Sequence, residues 1–277
     1  MVLPSGAQVV EAASEVETPA SEKKESLFSW SASALVTSNY IWRGLYVGGP
    51  SVQLDATVSY AGVFANVWWN IGASDWTFRS LNPEVDVAIG FSRWGLSVYY
   101  LHCFYFDRYA DGGMSRFFDF RNNTQGGTTG EWRVIYNRPV YTNKRGWTTS
   151  VNGLCAVRTF SRDGYYVEVN GEEVWKRAYS TYIEVGVDQT FDHNWSLAAR
   201  VGITPAKSLY TGFQGNFAVT LVGLKLTKSW ALDYGRLNAF ANVMLQPWQV
   251  NKDNLIMPID KAGGQKLNLA VGLQWSI

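Results

Sequence analysis

The sequence predicts an all-β fold, a transmembrane antiparallel up-and-down β-barrel of about twelve strands. Apolar and polar residues alternate in most of the chain, the alternating segments are about 10 residues long, and long and short connections follow one another between them. In segment 51–60, Val52 and Leu54 fall on one face, and Gln53 and Asp55 fall on the other. A period of two is produced by a strand, because successive side chains point to opposite faces.

Composition agrees with a barrel in a membrane. The chain has 277 residues, enough for one barrel or two soluble domains. Its charged fraction is 17%, below the roughly 25% of soluble domains. Its aromatic fraction is 15%, with 13 Trp, which aromatic girdles at both lipid–water interfaces would explain. The alternative is a large β-sandwich with an aromatic core. Lys+Arg number 24 against 23 Asp+Glu, so we expect no nucleic-acid partner.

The first 26 residues are interpreted as a flexible N-terminal lead. They are small, polar and charged, and Ser5 and Ala7 have the spacing of a signal-peptide cleavage site. Residues 1–26 are therefore expected to contain a signal-peptide remnant, and residues 27–277 to form the outer-membrane barrel.

The predicted strands share alternation and boundaries at turn residues. They cover 27–37, 51–60, 63–70, 83–91, 96–105, 130–137, 147–158, 177–191, 195–204, 216–228, 235–246 and 266–277. The last of them alternates to the chain end, as the terminal strand of an outer-membrane barrel does.

The connections between the strands support the same topology. Ala61-Gly62 and Ser92–Gly95 are tight turns, whereas loops 38–50 and 106–129 are long. Long loops of such barrels face outside and short turns face the periplasm, so both termini are predicted on the periplasmic side. A β-sandwich is not expected to alternate long and short connections in this way.

Charged residues occupy the inward phase of the predicted strands, since a charge facing lipid is costly. The predicted lumen residues are Asp55, Glu84, Asp86, Glu131, Arg133, Arg158, Glu184 and Arg200. The directions of the strands place six of these residues in the outer half of the lumen, that is, all except Glu184 and Arg200. Two interpretations remain open: a neutralised network that fills the barrel, or opposed charged walls that select solutes.

The first long loop contains a possible clamp formed by Tyr40, Arg43 and Gly44. Gly44 allows a tight bend, and Arg43 is predicted to reach Glu84 or Asp86 and so fix the loop. A clamp is favoured here over ligand binding.

The segment Ser38-Asn-Tyr40-Ile-Trp-Arg43-Gly44, the acidic start of strand 83–91 and the Tyr residues up to Tyr105 resemble the TorF-type family of outer-membrane porins. The resemblance covers roughly residues 30 to 105. It implies a barrel of about this size and a transport role, with no established substrate. Loops 106–129 and 159–176 are longer than the family's.

Catalytic and metal-binding patterns are not evident. The chain has two histidines: His102 is interpreted as a girdle or rim residue, and His193 lies in a short turn. Cys103 and Cys155 are expected to be unpaired, with Cys155 facing lipid. We therefore predict no enzyme activity, no metal and no cofactor.

The predicted function is passage of small solutes through a narrow charged lumen in the outer membrane of a Gram-negative bacterium. The alternative is a closed barrel that serves as a structural or accessory subunit of an outer-membrane complex. The expected partners are outer-membrane lipid and small solutes, with other outer-membrane proteins in the alternative.

Overall fold

The computed structural model describes residues 27–78, 80–81, 83–106, 117–118, 128–160, 163–248 and 267–277. The predicted lead, residues 1–26, lies outside the described residues. The strands of the described chain are β1 (Phe28–Thr37), β2 (Tyr40–Trp42), β3 (Leu45–Gly48), β4 (Ser51–Tyr60), β5 (Val63–Gly72), β6 (Glu84–Arg93), β7 (Leu96–Tyr105), β8 (Thr128–Thr142), β9 (Thr148–Phe160), β10 (Gly164–Val169), β11 (Glu172–Arg177), β12 (Thr181–Phe191), β13 (Trp195–Thr204), β14 (Ala218–Leu232), β15 (Gly235–Leu245) and β16 (Leu267–Ser276).

Twelve of these strands form a closed antiparallel barrel, so the predicted fold class is confirmed. The order around the barrel is β1-β16-β15-β14-β13-β12-β9-β8-β7-β6-β5-β4, and β1 closes it by pairing with both β4 and β16. Each barrel strand corresponds to one of the twelve predicted segments. Because the barrel is closed, no strand edge has unpaired backbone N–H and C=O groups, and a β-structure in lipid requires this pairing.

Two hairpins are not part of the barrel wall, and neither is among the strands predicted from the sequence. β2 and β3 pair within the first long loop, and β10 and β11 pair within the predicted loop 159–176. Asn170 and Gly171, both with positive φ, form the turn of the second hairpin. Asn-Gly between two extended runs is a strong hairpin signal, so this element was predictable.

Some strand boundaries also differ from the prediction. The predicted strand 177–191 begins at Thr181, because the residues up to Arg177 belong to β11. β8 runs 15 residues and continues past Pro139, where the register with β9 shifts. Proline has no N–H for the ladder, so a strand that contains one accommodates it at such an irregularity.

The two faces of the barrel separate as the alternation predicts. In β4, Val58 is 50% exposed on the outside, whereas Gln53 is 2% exposed in the lumen. Cys155 is exposed and Cys103 buried, and both are free thiols, as expected. An outer surface this apolar belongs in a bilayer, and closed barrels of this kind span outer membranes. Among the described residues, the structure has no helix of sufficient length and apolarity to cross a membrane.

The barrel has two distinct ends. The short connections, such as Ala61-Gly62 and Trp94-Gly95, lie at one end, which we call the turn end. Both of these turns have positive φ at two successive residues, the conformation that suits a two-residue hairpin. The longer connections lie at the opposite end, the loop end.

Candidate functional site

The first long loop enters the barrel as a hairpin formed by β2 and β3, residues 40–48, which we call the luminal hairpin. Its two-residue turn is Arg43-Gly44, with φ of 51° and 83°. A Cβ at Gly44 would lie 2.7 Å from the main-chain oxygen of Thr220, so glycine is needed there for space as well as conformation.

The luminal hairpin forms much of the core in the loop-end half of the barrel. Ile41 is fully buried and packs with Leu35 and Phe240. Leu45 belongs to a second cluster, which also contains Tyr182 and Tyr210. Tyr210 comes from the connection between β13 and β14, so two inward segments meet here. The lumen is consequently constricted at this level.

The hairpin also connects separate parts of the barrel wall. At its base, the Tyr40 hydroxyl donates to Oε2 of Glu84 on β6, at 2.8 Å. At its tip, the main-chain oxygen of Gly44 accepts from Nδ2 of Asn268 on β16, at 2.8 Å. β6 and β16 are four strands apart in the closed order of twelve, so these contacts hold the hairpin between two separate parts of the wall.

Arg43 does not pair with Glu84 or Asp86 as predicted; its partner is Glu131 on β8. Nη1 lies 2.8 Å from Oε2 and Nη2 lies 2.7 Å from Oε1, a bidentate arrangement. The prediction failed because Glu84 faces Tyr40 at the base of the hairpin, whereas Arg43 at the tip faces β8.

Aromatic groups complete the surroundings of Arg43. Its guanidinium donates to the Tyr210 hydroxyl and lies over the rings of Tyr182 and Trp42, 4.6 and 4.8 Å from their centroids. Burial alone would lower the pKa of Arg43, but the Glu131 carboxylate outweighs it and holds that pKa above its ordinary value. Arg43 therefore stays charged inside the barrel.

Glu131 is surrounded by basic groups. Arg133 Nε donates to its Oε1, and Arg158 is its cross-strand partner on β9. Arg158 also lies 5.1 Å from the Trp42 ring centroid. With Arg43, this gives three cations around one carboxylate, a basic wall on β8 and β9.

An acidic group lies beside this basic wall. Glu84 and Asp86 project inward from β6 and are both buried. Directly opposite on β7 are Tyr105, paired with Glu84, and Cys103, paired with Asp86. Ligand atoms of Glu84, Asp86 and Cys103 lie within 4.8 Å of one another.

Sequence reasoning missed this cluster because Asp86 and Cys103 are distant in the chain. The sequence does predict the tight turn at 92–95, and this turn fixes the β6–β7 register. Counting back from that turn would have placed the two residues opposite each other.

The remaining predicted lumen residues form pairs on β12 and β13 and on β4 and β5. Arg200 Nη2 lies 2.6 Å from Asp188 Oδ1, and Arg200 Nε lies 3.8 Å from Glu184 Oε1. The Tyr182 hydroxyl donates to Glu184 Oε2 at 2.5 Å. Asp55, on another part of the wall, accepts from Asn66 Nδ2 at 2.9 Å.

Toward the turn end the lumen contains a polar pocket, which we call the vestibule. Lys225 lies at its side, with its ammonium 4.6 Å from the Phe240 ring centroid. The lining is mainly hydroxyl, amide and charged groups: Asn137, Ser150, Asp188, Thr190, Ser196, Leu197, Ala198, Lys225, Thr227, Ser229, Asn238, Phe240 and Gln274.

The structure thus gathers Glu84, Asp86, Glu131, Arg133 and Arg158 around the luminal hairpin. Glu184 lies beside Tyr182, which packs on Arg43, and Asp55 and Arg200 lie elsewhere on the lumen wall. Their role in selecting solutes stays a prediction. His102 lies near the loop end of β7, where its Nε2 is 2.6 Å from the main-chain oxygen of Phe117.

Comparisons with known proteins give no family. No family model and no curated protein matches the chain, and the predicted TorF-type resemblance is not confirmed. Among solved structures, an outer membrane channel from Pseudomonas putida F1 is similar at 9% identity and a TM-score of 0.44, over 95% of this chain and 99% of that one. Salmonella typhi OmpF, in complex with daunomycin, has 10% identity and a TM-score of 0.38, over 90% and 97%. A Pseudomonas aeruginosa FadL homologue has 12% identity and a TM-score of 0.36, over 90% and 74%.

Proposed function

We propose that the protein is an outer-membrane channel for small solutes, with its loop end outside and its constriction at the luminal hairpin. The observation that carries this is the charged and polar lumen, which runs from the vestibule at the turn end to the charged groups around the hairpin.

The walls beside the hairpin would select by charge and size. Glu84 and Asp86 lie on one part of the wall, and Arg133 and Arg158 on the next. Solutes that pass between such groups experience a transverse field inside a narrow, low-dielectric space, where electrostatic interactions are strong.

The hairpin is the movable part of this constriction. It is held by polar contacts, chiefly Tyr40 to Glu84, Arg43 to Glu131 and Gly44 to Asn268, and by the packing of its apolar side chains. The barrel wall closes without it, so outward movement of the hairpin would widen the path and leave the barrel intact.

Single-channel recording tests the proposal. Purified, refolded full-length protein in a planar bilayer is expected to give steady openings with a measurable reversal potential in a salt gradient. The double variant Glu84→Gln, Asp86→Asn should shift that potential toward anion preference.

A matched control neutralises two exposed carboxylates of β11, in Glu172→Gln with Glu173→Gln. This variant has the same change of net charge but leaves the lumen as it was, so its reversal potential should equal that of the unmodified protein. Equal potentials for the luminal variant and the unmodified protein would refute selection by Glu84 and Asp86.

The buried hairpin favours a second candidate function, a closed accessory barrel. Ile41 is fully buried and Tyr40 is 2% exposed, so the hairpin packs as a core element. This alternative predicts that folded protein does not conduct, that a variant lacking residues 40–48 does, and that the protein co-purifies with a larger outer-membrane assembly.

A further inference from the structure

A cluster of metal-ligand side chains lies on the inner face of the β6–β7 hairpin. Asp86 is paired with Cys103, and Glu84 precedes Asp86 by two residues on the same face. Cross-strand partners have Cβ atoms about 4.5–5.5 Å apart, so the register itself brings the thiol and the carboxylates together. Their ligand atoms lie within 4.8 Å of one another, and all three residues are buried.

One atom of this cluster has an unfilled hydrogen-bonding capacity. Oδ1 of Asp86 is buried and has no hydrogen-bond partner among the described residues, and Asp86 as a whole is 1% exposed. Most buried polar atoms in folded proteins are paired, and an unseen water or ion is one explanation of an exception. This atom belongs to one of the three groups whose ligand atoms converge.

We propose that Glu84, Asp86 and Cys103 bind one divalent metal ion of the zinc class in the wall of the lumen. The donor set decides the class of metal: thiolate ligands favour zinc and its neighbours, whereas Mg²⁺ and Ca²⁺ take oxygen ligands alone. Zinc accepts one thiolate and two carboxylates, with a fourth position left for water or a solute.

The surroundings support an ion at this position. A divalent cation offsets the charge of two adjacent buried carboxylates, which would otherwise repel each other. The Tyr40 hydroxyl donates to Oε2 of Glu84 and so orients that carboxylate, as outer-shell contacts do in metal sites. The ion would therefore lie beside the base of the luminal hairpin.

Cobalt provides the test, because a thiolate bound to Co²⁺ gives a charge-transfer absorption that carboxylates alone do not. Untagged full-length protein is refolded in detergent with Co²⁺ and freed of excess metal. We expect one Co²⁺ per chain, the thiolate band, and displacement by Zn²⁺ but not by Ca²⁺ or Mg²⁺. Failure to retain metal would mean that the two carboxylates share a proton instead, and would overturn the proposal.

The two cysteines supply matched variants. Cys103→Ser should abolish the thiolate band and Asp86→Asn should weaken binding by about tenfold or more, whereas Cys155→Ser, at the lipid-facing thiol, should change neither. An unchanged band in Cys103→Ser would overturn the assignment.

The Cys155→Ser variant also decides the assignment if Cys103→Ser does not fold. The chain contains two cysteines, so a band retained in Cys155→Ser must come from Cys103, and a band lost there would refute the site. Metal uptake is measured without conductance, so this result is independent of the channel proposal.

Discussion

Replacement of Arg43 by methionine should release the luminal hairpin from the lumen. Methionine keeps an apolar stem but removes the bidentate bond to Glu131, the bond to Tyr210 and the stacking over Tyr182. Breaking a buried ion pair on one side costs about 3–5 kcal/mol. Arg133 still pairs with Glu131, so the lower end, about 3 kcal/mol, applies.

This free energy converts into a population of released hairpin. Since about 1.4 kcal/mol corresponds to a factor of ten, the ratio of released to seated hairpin should rise about a hundredfold. Chymotrypsin reports it, because Trp42 and Tyr46 are cleavable only when the hairpin has left the lumen. When opening and closing are fast, the cleavage rate follows the population of the open form.

Two further variants are compared with Arg43→Met by the same cleavage rate. Arg43→Lys keeps the charge but loses the bidentate geometry and should give an intermediate rate. Arg93→Met, at an exposed arginine beside the Trp94-Gly95 turn, should leave the rate unchanged. A folded Arg43→Met barrel that is cleaved no faster than the unmodified protein would refute the reasoning.

Three further changes have defined outcomes. Gly44→Ala forces a side chain into a left-handed conformation against the Thr220 oxygen and should cost at least about 1–2 kcal/mol, seen as faster chymotrypsin cleavage; an unchanged rate would contradict the tight packing of the hairpin tip. Tyr40→Phe removes a donor to Glu84 and should lower the free energy of unfolding in urea by about 1–3 kcal/mol, whereas Tyr141→Phe, at an exposed ring, should not. Val67→Arg places a charge on the lipid face near the middle of β5 and should destabilise the barrel in vesicles by about 2–4 kcal/mol; equal stability would argue against a membrane-spanning outer surface.

The barrel could be predicted from sequence because its signal is local. In β4 and β16, buried and exposed side chains alternate for most of the strand. This period of two is visible within one strand, without knowing which strands pair with it. The tight turns at Ala61-Gly62 and Trp94-Gly95 then separate the strands. Boundaries failed where a second element interrupted the pattern, as at Thr181.

The candidate site was predictable only in part, because it depends on which strands face each other across the lumen. The alternation along each strand puts Glu84, Asp86 and Glu131 on its inward face, in the lumen. The partner of Arg43, however, depends on how far the luminal hairpin extends across the lumen. β2 and β3 have three and four residues, too few to show a periodicity. The pairing of Asp86 with Cys103, by contrast, follows from the register of one hairpin.

The contact between the hairpin tip and β16 has a consequence for biogenesis. Gly44 and Asn268 are 224 positions apart in sequence, and β16 is the last strand of the chain. The first loop therefore cannot complete its docking until the final strand has been synthesised and has joined β1. Loop closure over so long a separation is slow, so docking should be among the last events of assembly. A barrel arrested before β1 meets β16 would expose this loop to periplasmic proteases and chaperones, which makes its protection a marker of completed insertion.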